Sequence, residues 1–134
     1  MDGLNSRAEQ RLRDELIIWL TTVSPSGQPQ TSAVWFLWDG AEFLVYSQPN
    51  TARTRNIEAQ PRVSLNLDGD GQGGSVVTIE GMARIDLEAP PSTEVPDYST
   101  KYRNKIAGGG WTPESFAADY PVPIRITPTR ARSW

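Results

Sequence analysis

The dipeptide Asp39-Gly40 lies between two apolar runs, Val34-Trp35-Phe36-Leu37-Trp38 and Phe43-Leu44-Val45-Tyr46. An Asp-Gly pair placed so is the strongest short-range signal for a β-hairpin. The two runs therefore pair antiparallel, and the rest of the chain has to fit around that pair. Tyr46-Ser47 is followed by a loop, Gln48-Pro49-Asn50, then by Thr51 and a segment from Ala52 to Gln60 that Pro61 stops. Thr51 is a good N-cap, so it opens about two turns of helix. Arg53 and Arg55 then fall in the first turn or just beyond it, where unpaired N–H groups and the macrodipole already present positive charge. Two readings stand at this point. An anion occupies the same spot, held by backbone N–H groups and guanidinium forks, or both arginines simply point to solvent.

The remaining elements follow in order. Ser6-Arg7-Ala8-Glu9 reads as a capping box, and Ala8, Leu12 and Leu16 recur at four-residue spacing, so a short helix runs from about Arg7 to Glu15. Ile17 to Val23 is β-branched and aromatic and gives the first strand. After the Ser24–Gln28 turn come strands over Gln30–Trp38 and Glu42–Ser47. A fourth covers Arg62–Asp68, where Val63, Leu65 and Leu67 alternate with polar residues. The glycine-rich loop from Asp68 to Gly74 lacks both a Gly-Lys-Ser/Thr ending and a following helix, which favours a hairpin over a phosphate cradle. Ser75–Leu87 is a fifth, long strand with Val77, Ile79, Gly81, Ala83, Ile85 and Leu87 on one face, and Gly81 predicts a bulge or bend. A helix over Asp97–Ile106, ended by Gly108–Gly110, carries Lys101, Arg103 and Lys105. Thr112-Pro113 then starts another helix, to about Asp119.

The sixth strand begins near Val122. Val122, Ile124 and Ile126 share a parity that continues by twos to Pro128, Arg130, Arg132 and Trp134. An extended strand would turn its buried face cationic and aromatic there, facing a site or a partner subunit; a frayed terminus is the alternative.

Composition narrows the chemistry. The 134 residues suit one domain, 1–134, able to bury a core without staples. There is no cysteine and no histidine, which removes thiol nucleophiles, Ser-His-Asp triads and the usual zinc sites. Chemistry must come from a bound cofactor or from carboxylates, hydroxyls and arginines. A formal net charge of −3 argues against a general nucleic-acid binder, and with it against an oligonucleotide-binding barrel, which needs a basic face. The N-terminus has no signal-peptide pattern and no apolar run reaches membrane-spanning length, so the expected location is the cytoplasm.

Taken together, ThrThrValSerProSerGlyGlnPro at 21–29, AlaValTrpPheLeuTrpAspGly at 33–40, ValTyrSer at 45–47, Arg-Thr-Arg-Asn-Ile at 53–57 and ProArgVal at 61–63 resemble the pyridoxamine 5′-phosphate oxidase-like flavin and deazaflavin proteins. The resemblance covers nearly the whole chain and is greatest to the small actinobacterial group of probable F420-dependent enzymes. It implies a mainly β, six-stranded antiparallel split β-barrel forming a homodimer, with cofactor at the subunit interface. It implies further that Ala33, Val34 and Trp35 line the ring of the cofactor, that Tyr46 and Ser47 approach the ribityl chain and phosphate, and that Arg53, with Arg55 and Asn56, holds the phosphate. The implied activity is hydride transfer between coenzyme F420, or alternatively FMN, and a small organic substrate; a non-catalytic carrier of the same fold is the alternative from another class. The acidic tail of F420 would need partners, and Lys101, Arg103, Lys105, Arg130 and Arg132 are candidates, with Trp134 beside them. The chain is shorter than the oxidase itself and lacks its histidine and arginine arrangement for a pyridoxal phosphate substrate, so the resemblance does not extend to vitamin B6 chemistry.

Overall fold

The structure, a computed structural model, describes residues 1–134. The elements are α1 (Ser6–Asp14), β1 (Ile18–Val23), β2 (Pro29–Val34), β3 (Leu37–Trp38), β4 (Phe43–Ser47), α2 (Ala52–Ala59), β5 (Arg62–Asn66), β6 (Val77–Ile85), a 3₁₀ turn at Ser92–Glu94, α3 (Pro96–Gly108), α4 (Pro113–Asp119) and β7 (Val122–Ser133). No helix is long and apolar enough to cross a membrane.

The seven strands form one antiparallel sheet in the order β2-β1-β5-β6-β7-β4-β3. Its two edge strands, β2 and β3, are separated in sequence only by Trp35 and Phe36. The sheet must therefore curl until its edges are one dipeptide apart, which makes it a half-barrel. This corrects the expected count of six: the predicted single strand Gln30–Trp38 is two, because the chain leaves one edge of the sheet at Val34 and joins the other at Leu37. Phe36 is the residue in transit. Its N–H donates to the Tyr102 hydroxyl at 2.8 Å, and its carbonyl accepts from Lys101 Nζ at 2.9 Å. Side chains of α3 thus replace the ladder bonds that the crossing gives up.

The interior of the curl holds Ile18, Leu20, Phe36, Trp38, Phe43, Val45, Leu65, Ile79, Ile124 and Ile126, closed by Ile57 of α2 and by Ala8 and Leu12 of α1. A second cluster lies on the other side of β4, where Leu44 and Tyr46 pack beneath Tyr98, Tyr102 and Ile106 of α3 and Phe116 of α4. β4 is covered on both faces, which is why its sequence is apolar from Phe43 to Tyr46 instead of alternating.

Three local expectations change. Asn5, not Ser6, caps α1, its side chain accepting from the Ala8 N–H at 2.8 Å. Glu9, expected to complete a capping box, instead receives the Trp38 indole N–H at 2.8 Å. Leu87 lies beyond β6 and is 83% exposed. The third change bears on function. Gly81 does mark an irregularity, but the extra residue is on β7: Glu80 pairs with Arg130 and Gly81 with Pro128, leaving Thr129 unpaired. A Cβ at Gly81 would sit 2.9 Å from both the Ile126 side chain and the Thr127 carbonyl oxygen, so only glycine lets β7 approach there. The bulge reverses the parity of everything after Thr129. Ala131 turns inward to pack on the core, and Arg130, Arg132 and Trp134 become exposed. The predicted cationic continuation of the buried face does not form.

Candidate functional site

The site is built around Arg53. Thr51 caps α2 as its sequence position demands, its hydroxyl accepting from the Thr54 N–H, and Arg53 sits one residue inside the helix. Arg53 Nε and Nη2 donate to the Ser32 hydroxyl of β2 at 3.3 and 3.1 Å, and Nη1 donates to the Ser47 hydroxyl at the end of β4 at 3.1 Å. Arg11, Arg84 and Arg125 all have carboxylate partners, whereas Arg53 has none. Burial pulls its pKa down from the usual arginine value, and the nearby Tyr120 hydroxyl opposes that only in part. A half-buried cation without a counter-charge stands at the positive end of a helix, between the Ser32 hydroxyl and that of Ser47, which itself donates to the Gln48 carbonyl at 3.0 Å. That donor set fits an anion with several oxygens, such as a phosphate monoester.

Two cavities meet at this guanidinium. One, of about 230 Å³, is polar and lined by Thr22, Gln30, Thr31, Ser32, Thr51 and Ala52 with Arg53. The other, of about 250 Å³, is aromatic: Trp35, Tyr46, Tyr98, Trp111, Phe116 and Tyr120 line it with Ala33, Val34 and Gln48. Arg53 lines both, and together they have the volume of a small-molecule site. The aromatic walls are ordered as well as apolar. Tyr102, Trp35, Phe116 and Tyr120 stack in succession, with centroid separations of 4.8, 5.1 and 4.7 Å and planes within 16° of parallel. A planar ring with a phosphate on a short chain matches this shape and charge.

Ala33, Val34, Trp35, Tyr46, Ser47 and Arg53 therefore converge from β2 and the crossing after it, β4 and α2. Other candidates do not. Arg55 is exposed and donates to the Asn50 carbonyl at 2.6 Å, bracing a residue held at a φ of 61°. Asn56 is buried beneath the site, its amide donating to Thr22 Oγ1 at 2.9 Å and Gln30 Oε1 at 2.8 Å, and so fixes α2 against the β1–β2 hairpin. Arg130 and Arg132 line a different groove, of about 380 Å³, on the outer face of β5, β6 and β7. Trp134 is exposed and ends in a backbone pair with Val76. Arg103 and Lys105 lie on the exposed side of α3, with Lys105 Nζ 5.6 Å from the Trp35 ring.

Lys101, a candidate partner for an acidic cofactor tail, is instead half-buried over the Phe36 ring at 3.8 Å while it bonds the Phe36 carbonyl. Burial pulls its pKa down to about 8, against the opposing field of Asp14 and Glu15. The folded chain therefore binds this proton less readily than the unfolded chain. Between the two pKa values the unfolded state holds more protons, so stability rises with pH. Melting temperature is expected to climb between about pH 8 and 9.5, before tyrosine ionisation in the unfolded state reverses the trend. A Lys101→Met variant should lose that climb; an identical climb in the variant would assign it to another group.

The sequence reading did not pick out Tyr98, Trp111, Phe116 and Tyr120. Trp111-Thr112-Pro113 drew notice only as the start of a helix. The available signal was density: all four tyrosines of the chain, Tyr46, Tyr98, Tyr102 and Tyr120, belong to or pack on the second cluster. No group of acidic residues able to hold a metal ion is present.

Half-barrel, helix-borne arginine and aromatic pocket together define a class, the pyridoxamine 5′-phosphate oxidase-like half-barrels. A family model described as pyridoxamine 5′-phosphate oxidase matches residues 4–134, and the chain belongs to that family. Among solved structures, it is similar to a conserved hypothetical protein from Mycobacterium tuberculosis, with 28% identity, a TM-score of 0.72 and coverage of 99% of this chain and 86% of the other. It is also similar to an F420 reductase, with 25% identity, a TM-score of 0.68 and coverage of 92% and 94%. The heme storage protein HutZ from Vibrio cholerae shares the fold alone, at 16% identity and a TM-score of 0.65, covering 95% of this chain and 91% of its own.

Proposed function

We propose that this chain is an oxidoreductase that binds coenzyme F420, with FMN as the alternative, its ring among Trp35, Tyr46, Trp111 and Tyr120 and its phosphate on Arg53. The observation that carries the reading is the unneutralised guanidinium of Arg53 where the aromatic and polar cavities meet. The likeness to an F420 reductase supports it. Heme binding finds less support, since the chain has neither histidine nor cysteine and the Tyr46 and Tyr102 hydroxyls beside the pocket are already bonded to backbone carbonyls.

The bound cofactor would supply hydride transfer, and the protein supplies binding, orientation and exclusion of water. Arg53, Ser32 and Ser47 anchor the anion. The β2 backbone at Ala33 and Val34 sets the depth of the ring, and the stacked aromatics keep water from its faces. Tyr46 is not available as a proton donor, since its hydroxyl already donates to the Pro90 carbonyl at 2.6 Å and burial pushes its pKa up to about 12.

We place a second copy of the chain on the uncovered sheet face. There Ala33, Trp19, Asn66, Thr78 and Arg132 share one cross-strand row, and exposed Trp19 and Met82 need cover. That placement brings Arg130 and Arg132 to the interface, as candidate partners, with Arg103 and Lys105, for an acidic cofactor tail.

The test is titration of purified protein with F420 and FMN at low and high salt, with light scattering and turnover of reduced cofactor against a panel of acceptors. Tighter F420 binding that weakens toward the FMN value as salt rises is expected, because exposed tail contacts are screened. Equal affinities insensitive to salt would assign an FMN enzyme. Stoichiometric binding without turnover would assign a carrier, and a monomeric mass with cofactor bound would remove the interface.

A further inference from the structure

One polar atom near the pocket has no partner. The hydroxyl of Tyr98 is buried without a hydrogen bond, and it is the single buried side-chain nitrogen or oxygen in the chain left so. Its neighbours differ. The Tyr46 hydroxyl is committed to Pro90, and the Tyr102 hydroxyl to Phe36 and Leu16. A sealed, unpaired phenol opposes folding, and such groups are rare enough to call for an explanation. Tyr98 is otherwise tightly fixed: its ring is edge-on to Tyr46 with centroids 5.0 Å apart and tilted on Tyr102 at 4.9 Å. Replacing it with phenylalanine would keep all of that packing, so packing does not explain the oxygen.

Its location does. Tyr98 lines the aromatic pocket and also a second cavity of about 360 Å³, bounded by Ser92, Ser99, Arg103 and Glu114, and Trp111 lines both as well. These two rings form the wall between the cavities. Trp111 follows Gly108, Gly109 and Gly110, and its indole lies so near Gly109 that a Cβ there would come within 2.4 Å of the ring. Trp111 is tied into this wall by its N–H to the Ile106 carbonyl and by an exposed indole bond to the Asp119 carboxylate at 3.0 Å, so the exposed bond is the one an incoming ring has to break to move it.

We propose that the Tyr98 hydroxyl donates a hydrogen bond to a carbonyl oxygen on the planar ring of the ligand in the aromatic pocket, the contact forming as the occupant displaces Trp111. This rests on the cofactor reading above and adds a residue that selects for a ring bearing an acceptor. Burial raises the pKa of Tyr98 far above neutrality, so the group is a donor at any physiological pH. It has also already lost its water. A donor desolvated in advance gives up nothing further on binding, so the bond contributes more to affinity than one made by an exposed hydroxyl.

The experiment is Tyr98→Phe, read three ways: affinity for F420 and FMN, the position of the bound ring's visible absorbance band, and melting temperature without ligand. Expected results are binding weaker by about tenfold, an absorbance band displaced from its wild-type position, and a ligand-free melting temperature equal to or above wild type. A purely structural tyrosine would lower the melting temperature and leave the band in place, which would overturn the proposal. Wild-type affinity in the variant would overturn it alone. Absence of binding of either cofactor to the wild-type chain would overturn the cofactor reading and this inference with it.

Discussion

Replacing Arg53 with methionine is expected to weaken binding of F420 or FMN by about ten- to a hundredfold, since charge-assisted hydrogen bonds to a phosphate contribute roughly 1.5–3 kcal/mol. The ligand-free variant should be at least as stable as wild type. These two expectations have one origin. In the ligand-free chain the guanidinium is half-buried against two neutral hydroxyls, with burial opposing its charge and no carboxylate to answer it. Removing such a charge in favour of an apolar chain of similar length relieves a desolvation cost. Once a phosphate arrives, the same charge becomes the anchor. Thermal shift separates the two states, because a ligand that binds only the folded chain raises its melting temperature by an amount that grows with the logarithm of its concentration relative to Kd. Arg53→Met should start level with or above wild type and gain far less on addition of cofactor. Arg55→Ala supplies the contrast: Arg55 braces the Asn50 carbonyl, so its loss should lower ligand-free stability slightly and change binding little. Wild-type affinity in Arg53→Met would place the phosphate elsewhere.

That division between two arginines on one helix also shows where sequence reading stops. Asp39-Gly40, Thr51, Thr112-Pro113 and Gly81 each constrain the backbone locally, and each marks the feature it promised: hairpin, helix start, N-cap with proline at the first helical position, and strand irregularity. Arg53 and Arg55 have the same composition and nearly the same position. What distinguishes them is which strand ends lie opposite, and that is a tertiary fact. The β7 bulge is a sharper case. A period of two is legible for as long as the ladder is regular, and one unpaired residue at Thr129 was enough to move Arg130, Arg132 and Trp134 to the other face. Lys101 was misread because a lone lysine on a helix is normally solvated, and nothing local to α3 signals that the Phe36 carbonyl, 65 positions earlier, lacks a strand partner. The aromatic wall was hidden for a related reason: its rings come from the β2–β3 crossing, β4, α3, α4 and the residues flanking α4, so no periodicity in one segment reveals it.

The break between β2 and β3 gives the last expectation, that Tyr102→Phe lowers stability by about 2 kcal/mol, or about 4–8 °C in melting temperature for a chain of this size. The Tyr102 hydroxyl is the acceptor for the Phe36 N–H at 2.8 Å and lies 2.8 Å from the Leu16 carbonyl and 3.0 Å from that of Phe36. Lys101 continues to serve the Phe36 carbonyl after the substitution, and partly exposed Leu16 can turn to water. The Phe36 N–H has neither option, because Phe36 is fully buried. An amide stripped of water and partner is the costly case. The damage should also reach the site, since Trp35 precedes Phe36 and stacks on Tyr102 at 4.8 Å with parallel planes, so cofactor affinity should fall with stability. Tyr98→Phe removes the same atom four residues away, from a hydroxyl with no bond to lose, and should raise stability or leave it level. Two equivalent substitutions on adjacent turns of α3 are thus expected to differ in sign. An unchanged melting temperature in Tyr102→Phe would mean that Tyr102 does not hold the crossing, and that the half-barrel keeps its two edges together by packing alone.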